Sequence, residues 1–155
     1  MARIIVLDSG PLGLAIRRPG KPLILRFQSW ARSMLVGSAR LAFPEIAHYE
    51  VRRELVRLNA VSSLHRLDQL VSGRAGMDYL PLTTDIIKRA AEHWASVRQA
   101  GQPTADPKEL DGDAILAAQA SYAGKAGDVL IIATTNVGHL ARFPGISAQM
   151  SEQIL

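Results

Sequence analysis

The chain of 155 residues has no cysteine. That excludes disulfides, thiolate nucleophiles and cysteine-ligated zinc. No apolar run approaches the length needed to cross a bilayer. The amino-terminal run, Ile4 to Leu7, is closed at once by Asp8 and is not the core of a signal peptide. These absences give the expectation of a cytoplasmic protein without a membrane role. Acidic residues are scarce in the first half. Residues 1–74 carry 12 Lys/Arg against 5 Asp/Glu, a balance of +7, and residues 75–155 carry 6 against 9, a balance of −3. Arginine forks match phosphate geometry and also pair with carboxylates. The basic half therefore suits a polyanion such as nucleic acid, and equally a set of solvated helix faces.

What is present is ordinary globular material. Hydrophobic residues make up 48% and charged residues 21% of the chain, and the length suits one domain, 1–155, with a real core. Arg3–Leu7 reads as a buried strand. A loop from Leu12 leads to a helix around Ile24–Val36, then a short strand near Leu41–Phe43 that Pro44 closes. "EIAHYEVRRELVRL" reads as a helix with Val51, Leu55 and Leu58 on one face, ended by Asn59. "VSSLHRLDQLVS" is another, with Leu64, Leu67 and Val71 in phase and Gly73 as its stop. "MDYLPL" is a strand. "TTDIIKRAAEHWASVRQAGQ" is amphipathic, with Thr83 or Thr84 as cap and Ile87, Ala91, Trp94 and Val97 or Arg98 in period; Gly101 and Pro103 break it. "ELDGDAILAAQASYAG" is a small-residue helix, "DVLIIATTN" a strong strand, and "GISAQM" a candidate last strand. Strands alternating with helices predict an α/β fold with a central parallel sheet of four or five strands.

Ligands in such sheets gather at the carboxyl ends of the strands. Asp8 ends the first strand, Asn136 ends the strong late strand, Asp113 starts a helix, and Glu50 lies one turn into its helix, so all four can reach that edge. Each has a plainer reading. Asp8 suits a turn or a helix cap. Glu50 suits a solvated helix face, with Glu54 one turn on. Asp111 suits the N-cap of its helix, which places Asp113 in the first turn. Asp106 and Asp128 read as turn residues, His139 as a phosphate partner or a packed or surface side chain, and Thr134 and Thr135 as orienting groups or ordinary strand residues. Clustered carboxylates raise each other's pKa unless a cation relieves them. Mg²⁺ takes one or two carboxylates with water and phosphate, and suits phosphodiester hydrolysis.

The segments "IIVLDSG", "FPEIAHYEVRREL", "DGDAILAAQA" and "IIATTNVGHLARF" together resemble the PIN-domain ribonucleases, and among them the VapC-like toxins. The resemblance spans the chain. It implies a three-layer α/β/α PIN-like domain and an endoribonuclease whose acids hold Mg²⁺ or Mn²⁺. By motif, Asp8, Glu50 and Asp113 are the metal-binding acids. The fourth catalytic position is Asn136, where many relatives have Asp, so the site carries one negative charge fewer. Ser9 and Thr134 match supporting hydroxyl positions, with Asp111 a further supporting candidate. The resemblance also implies an RNA substrate, a homodimer and a cognate antitoxin of a type II toxin–antitoxin pair. Asn136 keeps a second reading open, a PIN-like RNA-binding module with weak or no cleavage. A phosphatase that starts with strand and Asp needs a second Asp two positions on, where this chain has Gly10. A dinucleotide site needs Gly-x-Gly-x-x-Gly, and "DSGPLG" has two glycines.

Overall fold

β1 (Arg3–Leu7) is flanked on both sides, pairing in parallel with β2 (Ala39–Pro44) and with β4 (Val129–Ala133). This is why Ile4 to Leu7 are all apolar: a central strand is covered on both faces. Side chains alternate, so Ile5 and Leu7 join one half of the core while Ile4 and Val6 join the other. β3 (Asp78–Leu80) extends the sheet beyond β2, and β5 (Ala148–Gln149) extends it beyond β4. The sheet is parallel throughout, with five strands in the order β3-β2-β1-β4-β5. The computed structural model describes residues 1–101 and 107–154, with 107–109 described by their backbone alone.

Helices cover both faces. α1 (Ser9–Ile16), α2 (Pro22–Val36), α3 (Glu45–Arg57) and α4 (Val61–Val71) pack around Phe27, Leu41, Phe43 and Leu67. α5 (Thr84–Gln99), α6 (Pro107–Ser121) and the short α7 (Val137–Leu140) pack around Ala117, Ile132, Leu140 and Phe143. The three-layer α/β/α architecture with its parallel five-stranded sheet is the one expected from the sequence. Among the described residues no helix is long and apolar enough to cross a membrane.

The strands and five of the helices fall close to their expected places, and three local expectations need correction. Residues from Leu12 do not open a loop: Ser9–Ile16 is helical. Two glycines and a proline give this segment poor helix propensity, but Pro11 sits in the first turn, where its missing N–H costs nothing. Leu12 and Ile16, four residues apart, are fully buried, and packing overrides propensity. Leu58 does not share the buried face of α3 with Val51; it caps the helix, 57% exposed, ahead of Asn59, whose φ is +52°. Thr83 caps α5, its hydroxyl accepting from the Ile86 amide at 3.2 Å. The buried face of that helix, however, is Ile86, Ala90, His93 and Val97, one position out of phase with the expected stripe. Ile87 is 48% and Trp94 37% exposed. Paired isoleucines and paired alanines give α5 two nearly equal stripes. His93 rather than Trp94 goes inside, where Phe143 meets it edge-on at 5.6 Å between ring centroids. Burial and the nearby Arg89 push the His93 imidazole below its ordinary pKa. Gly101 (φ +66°) does terminate the segment; Pro103 and Asp106 lie outside the described residues.

Much of the arginine excess is spent on structure. Arg40 pairs with Asp78 at 2.6 Å, Arg52 with Asp68 and Arg57 with Glu54, and Arg66 donates to the Ile16 carbonyl. Asp128 is the turn residue its position suggests, accepting from the Ala2 and Lys125 amides at 2.8 Å each. Those two amides hold its carboxyl below the usual carboxylate range.

Candidate active site

Strand order reverses direction around β1. The chain builds outward through β2 and β3, then returns to the far side of β1 with β4. Such a switch point opens a crevice at the carboxyl ends of the two central strands. Leu7 lies opposite Ala133 in the ladder, and the Asp8 amide donates to the Ala133 carbonyl at 3.0 Å. The residues just past both strand ends therefore meet.

Asp8 is both a helix cap and a member of this crevice. One carboxylate oxygen accepts from the Ser9 amide at 2.7 Å, capping α1. The other accepts from the Thr134 hydroxyl at 2.7 Å. Thr134, itself buried, accepts in turn from the Asn136 amide at 2.9 Å. One threonine thus fixes the Asp8 carboxylate and the turn that presents Asn136. Asn136 opens α7 without a capping hydrogen bond from its side chain.

Glu50 and Asp113 enter from the helices on either side. A Cβ built on Gly112 would lie 3.5 Å from Oε1 of Glu50, so α3 and α6 meet at this point. Asp8, Glu50, Asp111, Asp113, Asn136 and His139 all line one cleft of about 500 Å³. Burial, then the negative charges of Asp8 and Asp113, push the Glu50 carboxyl above its ordinary pKa, against an opposing pull from Arg53. Close-set carboxylates raise one another in this way. His139 Nδ1 lies 3.8 Å from a carboxylate oxygen of Asp113. Among the described residues no three His, Asp or Glu side chains already surround one point at ligating distance; the carboxylates share the cleft without closing on a common centre.

A larger cavity, about 630 Å³, opens at the opposite end of the sheet beside His93, Lys125 and Asp128. Both Asp128 oxygens are already engaged there. The cleft at the carboxyl ends is the candidate site because, among the described residues, it gathers Asp8, Glu50, Asp111 and Asp113 on one lining.

Asp111 is not an N-cap. α6 begins at Pro107, a residue suited to the first helical position, and Asp111 follows beyond the first turn as an exposed residue. Asp111→Ala should accordingly shift stability by less than about 0.5 kcal/mol, whereas loss of a cap costs about 1 kcal/mol; the urea midpoint of the variant decides between them.

Sequence reasoning missed Tyr49 and Arg53, which line the same cleft, and Gln119. Fully buried in α6, Gln119 donates to the Leu80 carbonyl at 2.8 Å and accepts from the Ile46 amide at 3.1 Å. It ties the end of β3 to the first turn of α3 and holds the helix of Asp113 against the helix of Glu50. A lone polar residue in the apolar run "AILAAQA" was the available signal.

No protein-family profile and no curated relative matches the sequence. Solved structures match its fold over nearly the whole chain. A chain of FitAB from a structure bound to the IR36 DNA fragment superposes with a TM-score of 0.68 at 18% identity, covering 97% of each chain. VapBC2 from Rickettsia felis, bound to a DNA fragment from its promoter, gives 0.67 at 13% identity, covering 95% of this chain and 98% of that one. VapBC-1 from nontypeable Haemophilus influenzae gives 0.66 at 17% identity, covering 97% and 99%. At these identities the likeness is one of fold.

Proposed function

We propose that the chain, 1–155, is one PIN-like nuclease domain, a divalent-metal-dependent endoribonuclease, and the toxin of a type II toxin–antitoxin pair. One observation carries the reading: Asp8, Glu50 and Asp113 share a cleft at the switch point of a PIN-like sheet, and the Glu50 carboxyl is raised by burial and then by the other two. The donor set is all oxygen, which fits Mg²⁺ or Mn²⁺ and not a soft metal. Asp8, Glu50 and Asp113 would hold the ion, with the Asn136 carbonyl as a neutral fourth oxygen. Bound there, the ion would lower the pKa of a water and offset charge on the attacked phosphate. Thr134 orients Asp8, and the Ser9 amide fixes its other oxygen. Arg53 and His139, at the rim of the cleft, attract and orient the phosphate. The chain's fold neighbours include VapBC and FitAB structures; by analogy a cognate antitoxin would cover the cleft, and the toxin itself would be a homodimer.

The test needs RNA, Mg²⁺ and a chelator. Cleavage should require Mg²⁺ or Mn²⁺ and stop in excess EDTA. Mg²⁺ should also raise the melting temperature of the wild type, because an ion bound only by the folded state stabilises it, and should do so much less in Asp113→Asn. Cutting that continues undiminished in EDTA rules the mechanism out. The second reading, an RNA-binding module, draws on Asn136 standing where an acid would complete the set; RNA binding with no cleavage in either metal would favour it.

A further inference from the structure

Two exposed aromatic residues flank the acidic cleft, and each carries an arginine one helical turn on. Tyr49 on α3 lines the cleft beside Glu50 and is 57% exposed, with the Arg53 guanidinium 5.3 Å from its ring centroid. Trp94 on α5 is 37% exposed, with the Arg98 guanidinium 5.4 Å from its ring centroid. Trp94 lines an apolar groove of about 400 Å³ with Ile87, Ala91 and Ala114. That groove shares Asp111 and Ile115 with the acidic cleft, so the two are continuous. Trp94 and Ile87 keep part of their apolar surface in water, and a ligand that covers them removes that surface from solvent.

We propose that Tyr49 and Trp94 are base-stacking platforms on either side of the acidic cleft and select single-stranded RNA with accessible base faces. The proposal rests on RNA being the ligand of the cleft. A ring accepts any base, because every base has a π face, and a guanidinium over an aromatic ring adds a cation beside the stack. Arg53 and Arg98 supply that cation next to the backbone phosphates, while the carboxylates lie between. A paired duplex keeps its base faces inside the stack and presents no surface to either ring. Continuity with the cleft and an arginine on each aromatic favour a nucleic acid over a second copy of this chain as the occupant.

Binding, not cleavage, is the readout. Full-length Asp8→Asn protein is titrated by fluorescence anisotropy with three probes: a single-stranded RNA of about eight nucleotides, an abasic oligoribonucleotide of equal length, and the matching RNA duplex. Tyr49→Ala or Trp94→Ala in that background should weaken the single strand by about 5- to 100-fold and leave the abasic probe within about twofold. Tyr49→Phe and Trp94→Tyr, which keep a ring, should restore most of the affinity. The parent should prefer the single strand to the duplex. Equal losses on the RNA and the abasic probe, no loss on either, or no RNA binding by the parent overturns the proposal. So does a sedimentation experiment in which the alanine variants dissociate a dimer while affinity per protomer is unchanged, since the two rings would then be a self-contact. Wild-type protein that binds this way but never cuts would defeat the nuclease reading and leave the platforms standing.

Discussion

Asp8→Asn should abolish metal-dependent cleavage while leaving the fold intact. Loss of a group that only supports a metal ligand typically costs 10- to 100-fold in affinity or activity, so loss of a direct carboxylate ligand should cost at least about 100-fold. The loss is the sharper because Asn136 is already neutral, and the variant would leave Glu50 and Asp113 as the only charged ligands. Stability should move little. Asparagine is as good an N-cap as aspartate, so the bond from the Ser9 amide survives. The Thr134 hydroxyl loses its carboxylate acceptor at 2.7 Å, a cost of about 1 kcal/mol. Against that, one of the charges that raise the Glu50 carboxyl is gone, and the Glu50 pKa should fall back toward its ordinary value. Asp8→Ala, in contrast, loses the cap as well and should be less stable than Asp8→Asn by about 1 kcal/mol. Cleavage rate and melting temperature for the two variants separate the roles. Asp8→Asn that cuts at more than a third of the wild-type rate would make Asp8 a helix cap and nothing more.

The largest effect on stability should come from a residue outside the acidic set. Gln119→Met keeps the volume of the side chain and removes both of its hydrogen bonds. The Ile46 amide, one of the donors that a helix start leaves without an internal partner, and the Leu80 carbonyl would each be stranded. A buried polar group left unpaired costs about 1–3 kcal/mol, so the pair should cost about 3 kcal/mol and lower the melting temperature by about 6–12 °C for a chain of this size. Gln119→Glu keeps the acceptor for Ile46, but at this fully buried position its carboxyl must either stay protonated and donate to Leu80 or bury a charge against that carbonyl, so its loss of stability should grow as pH rises. Because Gln119 holds α6 against the start of α3, cleavage should fall in Gln119→Met even at temperatures where the variant is fully folded. A melting temperature within about 2 °C of the wild type would show that relaxation satisfies both groups some other way.

Periodicity and punctuation made much of this protein legible before any coordinates. Arg3–Leu7 is a strand because four residues, Ile4 to Leu7, alternate into two apolar layers and Asp8-Ser9-Gly10-Pro11 stops them. Asn59 and Gly73 end α3 and α4 because their φ values are positive, a conformation these residue types tolerate. The local pattern places Asp8 and Asn136 just past their strands and Glu50 one turn into α3, but not Asp113, which is the seventh residue of α6 rather than its start. These are local facts, fixed by residues a few positions apart, and the sequence by itself determined them.

Tertiary packing decided the rest. Ser9–Ile16 is a helix despite its glycines because the sheet offers Leu12 and Ile16 a place to be buried and Asp8 supplies the cap. On α5 the two stripes are nearly equal by sequence, and packing decides between them: Ile86 and Ala90 meet Ala118 of α6, and His93 meets Phe143 edge-on, while Trp94 faces outward. Thr134 holds Asp8 across 126 residues of chain, and Gln119 joins elements 39 and 73 residues away. Such bonds depend on which strands become neighbours at the switch point, and no short window of sequence contains that information. The chain's local pattern specifies where Asp8 and Glu50 lie along their own elements; the order β3-β2-β1-β4-β5 brings those elements and α6 to one cleft, because only there do the ends of two central parallel strands and the helices on both faces meet.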